Sequence, residues 1–128
     1  MRLSDEERRF LAARPETEAL YAALREGLEN RLGACEAEVH RTQISLKQRY
    51  GFAAVSFAPV RRTDRLPESF LTLSFSLKQA LDSPRIAAAV EISSQRWLHQ
   101  IMLTRVQDVD QELLDWLVEA ARLAEVKR

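Results

Sequence analysis

The sequence predicts a two-layer α+β domain, with helices packed on one face of a four-stranded, mainly antiparallel sheet in the order α-α-β-β-β-(short α)-β-α. Three observations carry that expectation. Leucines recur every four residues near the N-terminus, and apolar residues recur at helical spacing at the C-terminus, the pattern of amphipathic helices. Between them polar and apolar residues alternate one for one, the period of a strand with one wet and one dry face. Helical segments lie at the ends and strand segments in the middle, which favours α+β over an alternating α/β arrangement.

Ser4 followed three residues later by Glu7 has capping-box spacing, so a short helix is predicted there, with Phe10 and Leu11 on its apolar side. Arg14 ends it, because the residue before Pro15 is pushed out of helical geometry. A second helix is predicted over 16–32, where Leu20, Leu24, Leu28 and Leu32 form one stripe and Gly33 stands where a left-handed terminal residue is expected. From Val39 the period becomes two. Thr42, Ile44 and Leu46 alternate with Arg41, Gln43, Ser45 and Lys47, a strand followed by a turn at Gly51 and a second strand over 52–58. Residues 59–69, with two prolines and three arginines, read as a long exposed loop. The clearest strand is 70–77, where Leu71, Leu73, Phe75 and Leu77 face one way and Thr72, Ser74 and Ser76 the other. Asp82-Ser83-Pro84 resembles a helix start, so 85–90 is predicted as a short helix or turn. A fourth strand follows over 97–104. Asp108 or Asp110 then caps a last helix, with Leu113, Leu117, Ala120, Ala121 and Ala124 inward and Trp116 and Leu123 at the margins.

A chain of 128 residues is the usual size of one domain, and a single domain over 1–128 is expected. Hydrophobic content of 46% and charged content of 30% are ordinary for a globular protein. The first residues lack the apolar run of a signal peptide, and nowhere do about 18 apolar residues follow one another, so no membrane span is predicted. Cys35 is the only cysteine, which excludes an intrachain disulfide. These features together predict a cytoplasmic location. With three glycines in the whole chain and no P-loop, dinucleotide, nucleophile-elbow or zincin motif, glycine-rich phosphate loops are excluded. No cofactor is implied.

Net charge is zero but unevenly spread. Residues 1–38 carry six Arg against nine Asp or Glu, residues 39–105 ten Lys or Arg against four acids, and residues 106–128 three bases against six acids. A basic middle between acidic flanks either attracts an anion or pairs internally with the helices. An overall neutral chain without a row of exposed aromatics is not expected to bind nucleic acid.

Five segments resemble a bacterial family called domain of unknown function 5655. They are F-L-A-A-R-P-E at 10–16, R-T-Q-I-S-L at 41–46, L-D-S-P-R-I at 81–86, R-W-L-H at 96–99 and D-Q-E-L-L-D-W-L at 110–117. The resemblance spans nearly the whole chain. It implies an uncharacterised bacterial domain. Some members are described as predicted transport proteins, and small frataxin-like bacterial proteins are similar at the level of fold, which carries little function. Members usually have an aromatic where Leu46 stands and a second histidine where Gln100 stands. The second change removes the pair that a two-histidine metal site would need.

The strongest candidate site is the polar sheet face. Arg41, Gln43, Ser45 and Lys47 on the first strand and Thr72, Ser74 and Ser76 on the third would share it, offering guanidinium, amide and hydroxyl donors suited to carboxylate or phosphate oxygens. The alternative is an open sheet whose outer face is simply wet. Arg85, Arg96 and His99 form a second candidate and would join Arg41 in one anion pocket, although His99 shares its strand face with Trp97, Ile101 and Leu103, which also suits an imidazole at the core edge. Glu36, Glu38 and His40 alternate and have metal-ligand chemistry, but three such residues on one exposed strand are usually solvent-facing, and no metal site is expected. Cys35 is expected to be a plain thiol, and Trp97 and Trp116 core anchors. The expected function is a non-enzymatic module recognising an anionic small molecule or an acidic protein surface. The alternatives are an enzyme built around His99 and a frataxin-like metal carrier. Pairing of two chains through an exposed edge strand is open.

Overall fold

The computed structural model describes residues 2–60 and 66–126; the arginines at 61, 62 and 65 of the predicted loop lie outside the described residues. Helix α1 (Asp5–Leu11) begins at the predicted capping box. The Glu7 N–H donates to Ser4 Oγ at 3.1 Å, and the Ser4 N–H donates to Glu7 Oε1 at 2.8 Å. One 3₁₀ turn at Pro15–Thr17 leads into α2 (Glu18–Leu32). Gly33 ends it at φ +80°, backbone that a residue without Cβ adopts most readily. Helix α3 (Gln111–Val126) closes the chain.

Among the described residues the sheet has six strands, not four: β1 (Glu36–Val39), β2 (Gln43–Lys47), β3 (Gly51–Ser56), β4 (Leu71–Leu77), β5 (Ala88–Ser93) and β6 (Arg96–Leu103). All neighbours are antiparallel, in the order β1-β2-β3-β4-β6-β5. The two additions are its edges. The predicted first strand is broken by a turn over 40–42, so that Glu36–Val39 folds back on Gln43–Lys47, and Arg41 lies in that turn. The predicted short helix over 85–90 is absent. Ser83 makes a tight turn instead, its carbonyl accepting the Ile86 N–H at 3.1 Å, and Ala88–Ser93 pairs with β6. Cross-strand pairing overrides the weak helical preference of the alanines there, because strand stability depends on neighbours more than on propensity.

The β5–β6 hairpin turns through Gln95 at φ +57°, the one non-glycine described in left-handed geometry. Gln95→Gly is expected to raise stability by about 0.5–1 kcal/mol, steric relief exceeding the added entropy of the unfolded chain. A higher urea midpoint at unchanged slope is the expected reading.

The predicted greasy face of the sheet is dry. Ile44, Leu46, Val55, Leu71, Leu73, Phe75, Ile101 and Leu103 are all buried, and registers place them in rows: Ile44 beside Val55, Val55 beside Leu73, Leu73 beside Ile101. Helix α3 covers β3 and β4 with Leu113, Leu117, Ala120 and Ala121; Leu123, expected at the margin, is also buried. Helix α2 packs on α3, and the crossing is close at Gly27, where a Cβ would come within 3.0 Å of Leu114. Each fully buried leucine contributes about 1.5–3 kcal/mol. Among the described residues no helix is long and apolar enough to cross a membrane.

Candidate functional site

The opposite face of the sheet carries Gln43, Ser45 and Lys47 from β2, Ser74 and Ser76 from β4, and Leu98 and Gln100 from β6. One row runs Ser45, Ala54, Ser74, Gln100 across four strands. A break in this face makes a cavity. Leu46 lies opposite Ala53 while Lys47 lies opposite Gly51, so Phe52 is an extra residue, a bulge that turns its ring into the core, where it is 6% exposed. Pairing of β3 with β4 ends at Ala53 opposite Phe75, whereas β4 continues along β6 to Leu77 opposite Trp97. The slot beside that unpaired end has a volume of about 240 Å³. Ser45, Ser74, Ser76 and Arg96 supply its polar lining, and Ala120, Leu123 and Ala124 of α3 its apolar floor.

The hydroxyls are placed to donate. Ser74 Oγ accepts from Gln100 Nε2 at 3.2 Å and Ser45 Oγ accepts from Gln43 Nε2 at 3.4 Å, which leaves each O–H proton for another acceptor. Among the described residues no carboxylate lines the slot. A guanidinium and three hydroxyls facing a small concavity can hold the oxygens of one anion.

The other predicted site residues go elsewhere. Arg41 is exposed in the β1–β2 turn, beyond the end of the sheet where Gln43 lies opposite Ser56. Arg96 begins β6 at the other end, so the two arginines do not share a pocket. Lys47 Nζ donates to Glu38 Oε2 at 2.8 Å; that bond holds the lysine pKa up and the Glu38 pKa down. His40 Nε2 lies 3.2 Å from the other Glu38 oxygen. Lys47 and His40 therefore engage the two oxygens of Glu38, and among the described residues no group of three acidic, histidine or cysteine side chains is arranged around a metal position. Thr72 is buried and donates to the Ala58 carbonyl at 2.6 Å.

Arg85 is consumed by α3. Its Nη1 donates to Asp110 at 2.9 and 3.0 Å and to Glu112 at 3.1 Å, its Nη2 donates to the Asp108 carbonyl at 2.7 Å, and its guanidinium lies 5.7 Å from the centre of the Trp116 ring. Asp110 also caps the helix by accepting the Leu113 N–H at 3.0 Å, as its position in the sequence predicts. His99 points into the core, completely buried, and stacks on Phe75 with ring centres 5.3 Å apart. Its Nε2 accepts the Leu81 N–H at 3.0 Å, Nδ1 has no hydrogen-bond partner, and burial pushes its pKa down. Among the described residues no carboxylate bonds to it, and its full burial is the setting of the core-edge imidazole that its strand face also suited.

The sequence reading missed a buried polar cluster. Tyr21 Oη donates to Glu7 Oε2 at 2.5 Å, Arg25 Nε donates to the same oxygen at 2.9 Å, and Arg25 Nη1 donates to the Cys35 carbonyl at 2.9 Å. The available signal was Arg25 one turn after Tyr21 on the leucine side of α2. The cluster ties α1, α2 and the start of β1 together. Burial pushes the Cys35 thiol pKa up, which makes it a poor nucleophile.

A family model described as a domain of unknown function, DUF5655, matches residues 6–124. No curated protein and no solved structure matches the chain, so the frataxin-like comparison has no counterpart.

Proposed function

The chain belongs to the DUF5655 family, a membership that brings no activity with it, and from the geometry we propose that the protein is a non-catalytic binding module for a small anion. The anion would occupy the slot beside the β3 bulge, held by the Arg96 guanidinium and the hydroxyls of Ser45, Ser74 and Ser76. One observation supports the reading above others: four donor side chains line a cavity to which no carboxylate among the described residues contributes. The volume of about 240 Å³ accommodates roughly eight water-sized groups, which suits a carboxylate or phosphate group on a short carbon skeleton. Gln43 and Lys47 flank the slot on the same face; Arg41, Arg85 and His99 take no part.

Thermal unfolding in the presence of orthophosphate, acetate and adenosine monophosphate tests this. At least one of them is expected to raise the melting temperature, since a ligand at a hundred times its Kd stabilises the native state by about 2.7 kcal/mol. Arg96→Ala should weaken that ligand about 10- to 100-fold, the value of a charge-assisted hydrogen bond of about 1.5–3 kcal/mol. Arg41→Ala should leave it unchanged. Absence of any shift, or equal effects of the two substitutions, removes the slot as a binding site; binding of an acidic peptide instead of these ions would identify the ligand as a protein surface.

A further inference from the structure

The slot is not isolated. A second and larger cavity, of about 590 Å³, lies between residues 77–81 and the last two turns of α3. The two meet at Leu123, which lines both. On the β4 side the junction falls between adjacent residues: Ser76 faces the slot and Leu77 the groove. Leu77, Ala80, Leu81, Leu123 and Val126 form the apolar part of its lining, and Lys78, Gln79, Glu119 and Arg122 the polar part. Val126 is 73% exposed, an apolar surface left uncovered at a helix end.

We propose that the protein binds an elongated amphipathic anion, a straight apolar chain ending in a carboxylate-like head, with the head in the slot and the chain laid over Leu123 into the groove. The proposal deepens the anion-slot reading and rests on it. Three features select this occupant. The slot offers a guanidinium and three hydroxyls to a head group, and beyond Leu123 the groove offers the apolar surface of Leu77, Ala80, Leu81 and Val126 with Lys78, Gln79, Glu119 and Arg122 beside it, which suits an apolar chain continuing from that head. The volume of the groove is that of a small-molecule site, concave and mostly apolar. Among the described residues the groove mouth is bordered by Lys78 and Arg122 against one acid, Glu119, so these side-chain charges favour approach of an anion, while the long stems of the two bases extend the apolar surface. The loop wall is also fixed in advance. The Leu81 N–H donates to His99 Nε2 at 3.0 Å, so little ordering of the loop is needed on binding.

Calorimetric titration of the full chain with straight-chain carboxylates from acetate to decanoate, at constant ionic strength and below the onset of micelles, tests the proposal. Affinity is expected to rise about three- to fourfold for each methylene that enters the groove. Leu123→Phe, which fills the junction, should flatten the series. Val126→Glu, an exposed substitution that the fold tolerates, should flatten it too by placing a charge along the chain. Arg96→Ala should weaken every member by a similar factor. A flat series that still depends on Arg96 overturns the elongated ligand and keeps the anion slot. A rising series indifferent to Arg96→Ala, and matched by decanol, overturns both. A rising series untouched by Leu123→Phe and Val126→Glu overturns the groove as the place of the chain, and no binding of any member overturns the proposal outright.

Discussion

Glu7→Gln is expected to lower the unfolding free energy by about 3–5 kcal/mol, the penalty for breaking a buried ion pair from one side. Glu7 is 2% exposed and Arg25 7%. The carboxylate accepts bonds from the Ser4 N–H, the Tyr21 hydroxyl and Arg25 Nε, and the guanidinium spends a further N–H on the Cys35 carbonyl. The amide keeps the shape of Glu7 but not its charge. Arg25 would then be a cation held under α1 with nothing to neutralise it. Domains of this kind hold about 5–15 kcal/mol in all, so the substitution should remove about a fifth or more of the stability and move the urea midpoint accordingly. A loss below about 1 kcal/mol would place the pair effectively in solvent. The same cluster has a pH signature. Burial alone would raise the Glu7 pKa, but the bonds from Ser4, Tyr21 and Arg25 outweigh it and hold the group below its ordinary 4.5. A carboxyl with a depressed folded pKa stabilises the protein above its unfolded value, and that stabilisation is lost as pH falls from 4.5 through the folded pKa. In Glu7→Gln this part of the acid transition should be absent.

The elements legible from sequence are those whose pattern has a single physical reading. The alternation from Leu71 to Leu77 permits only a half-buried strand, and Ser74 and Ser76 are on the wet side as it requires. Ser4 and Glu7, Gly33 and Asp110 are local signals whose partners lie within four residues. The edge strands were hidden because Glu36-Ala37-Glu38-Val39 and the alanines of β5 have no strand preference of their own; they are strands because β2 and β6 offer them hydrogen bonds. The slot was half legible. Its serines follow from strand parity, but the cavity depends on a bulge, two residues against one, and that count requires knowing the partner strand. The fate of Arg85 was not legible at all. Its acidic partners stand 25 and 27 residues away, and only the packing of α3 brings them within reach. His99 was the reverse case: its parity with Ile101 and Leu103 pointed inward, and inward is where it lies.

That inward placement makes acid stability the second large effect. Stability of the wild-type protein is expected to fall as pH drops from 6.5, in a window separate from that of Glu7. Nε2 must be unprotonated to accept the Leu81 N–H, and burial disfavours an imidazolium more than the neighbouring Trp97 and Phe75 backbone favours it. The Phe75 ring stacks on one face, Ala89 lies opposite on β5, and Phe75 in turn stacks on Trp116. Burial accordingly holds the His99 pKa below 6.5. Below that pH the unfolded chain takes up a proton that the native state refuses, so the unfolded state gains until the folded pKa is reached, after which the loss is constant. His99→Gln separates this from packing. A glutamine oxygen can replace Nε2 as acceptor, while the lost stacking lowers stability by about 1–3 kcal/mol at every pH. Urea unfolding at pH 7.5 and pH 5.5 should therefore show the variant weaker than wild type at both values but nearly independent of pH between them. An identical drop in the two proteins would mean that the native state accommodates the charged ring, and the Leu81 contact would then be one that His99 can give up without consequence.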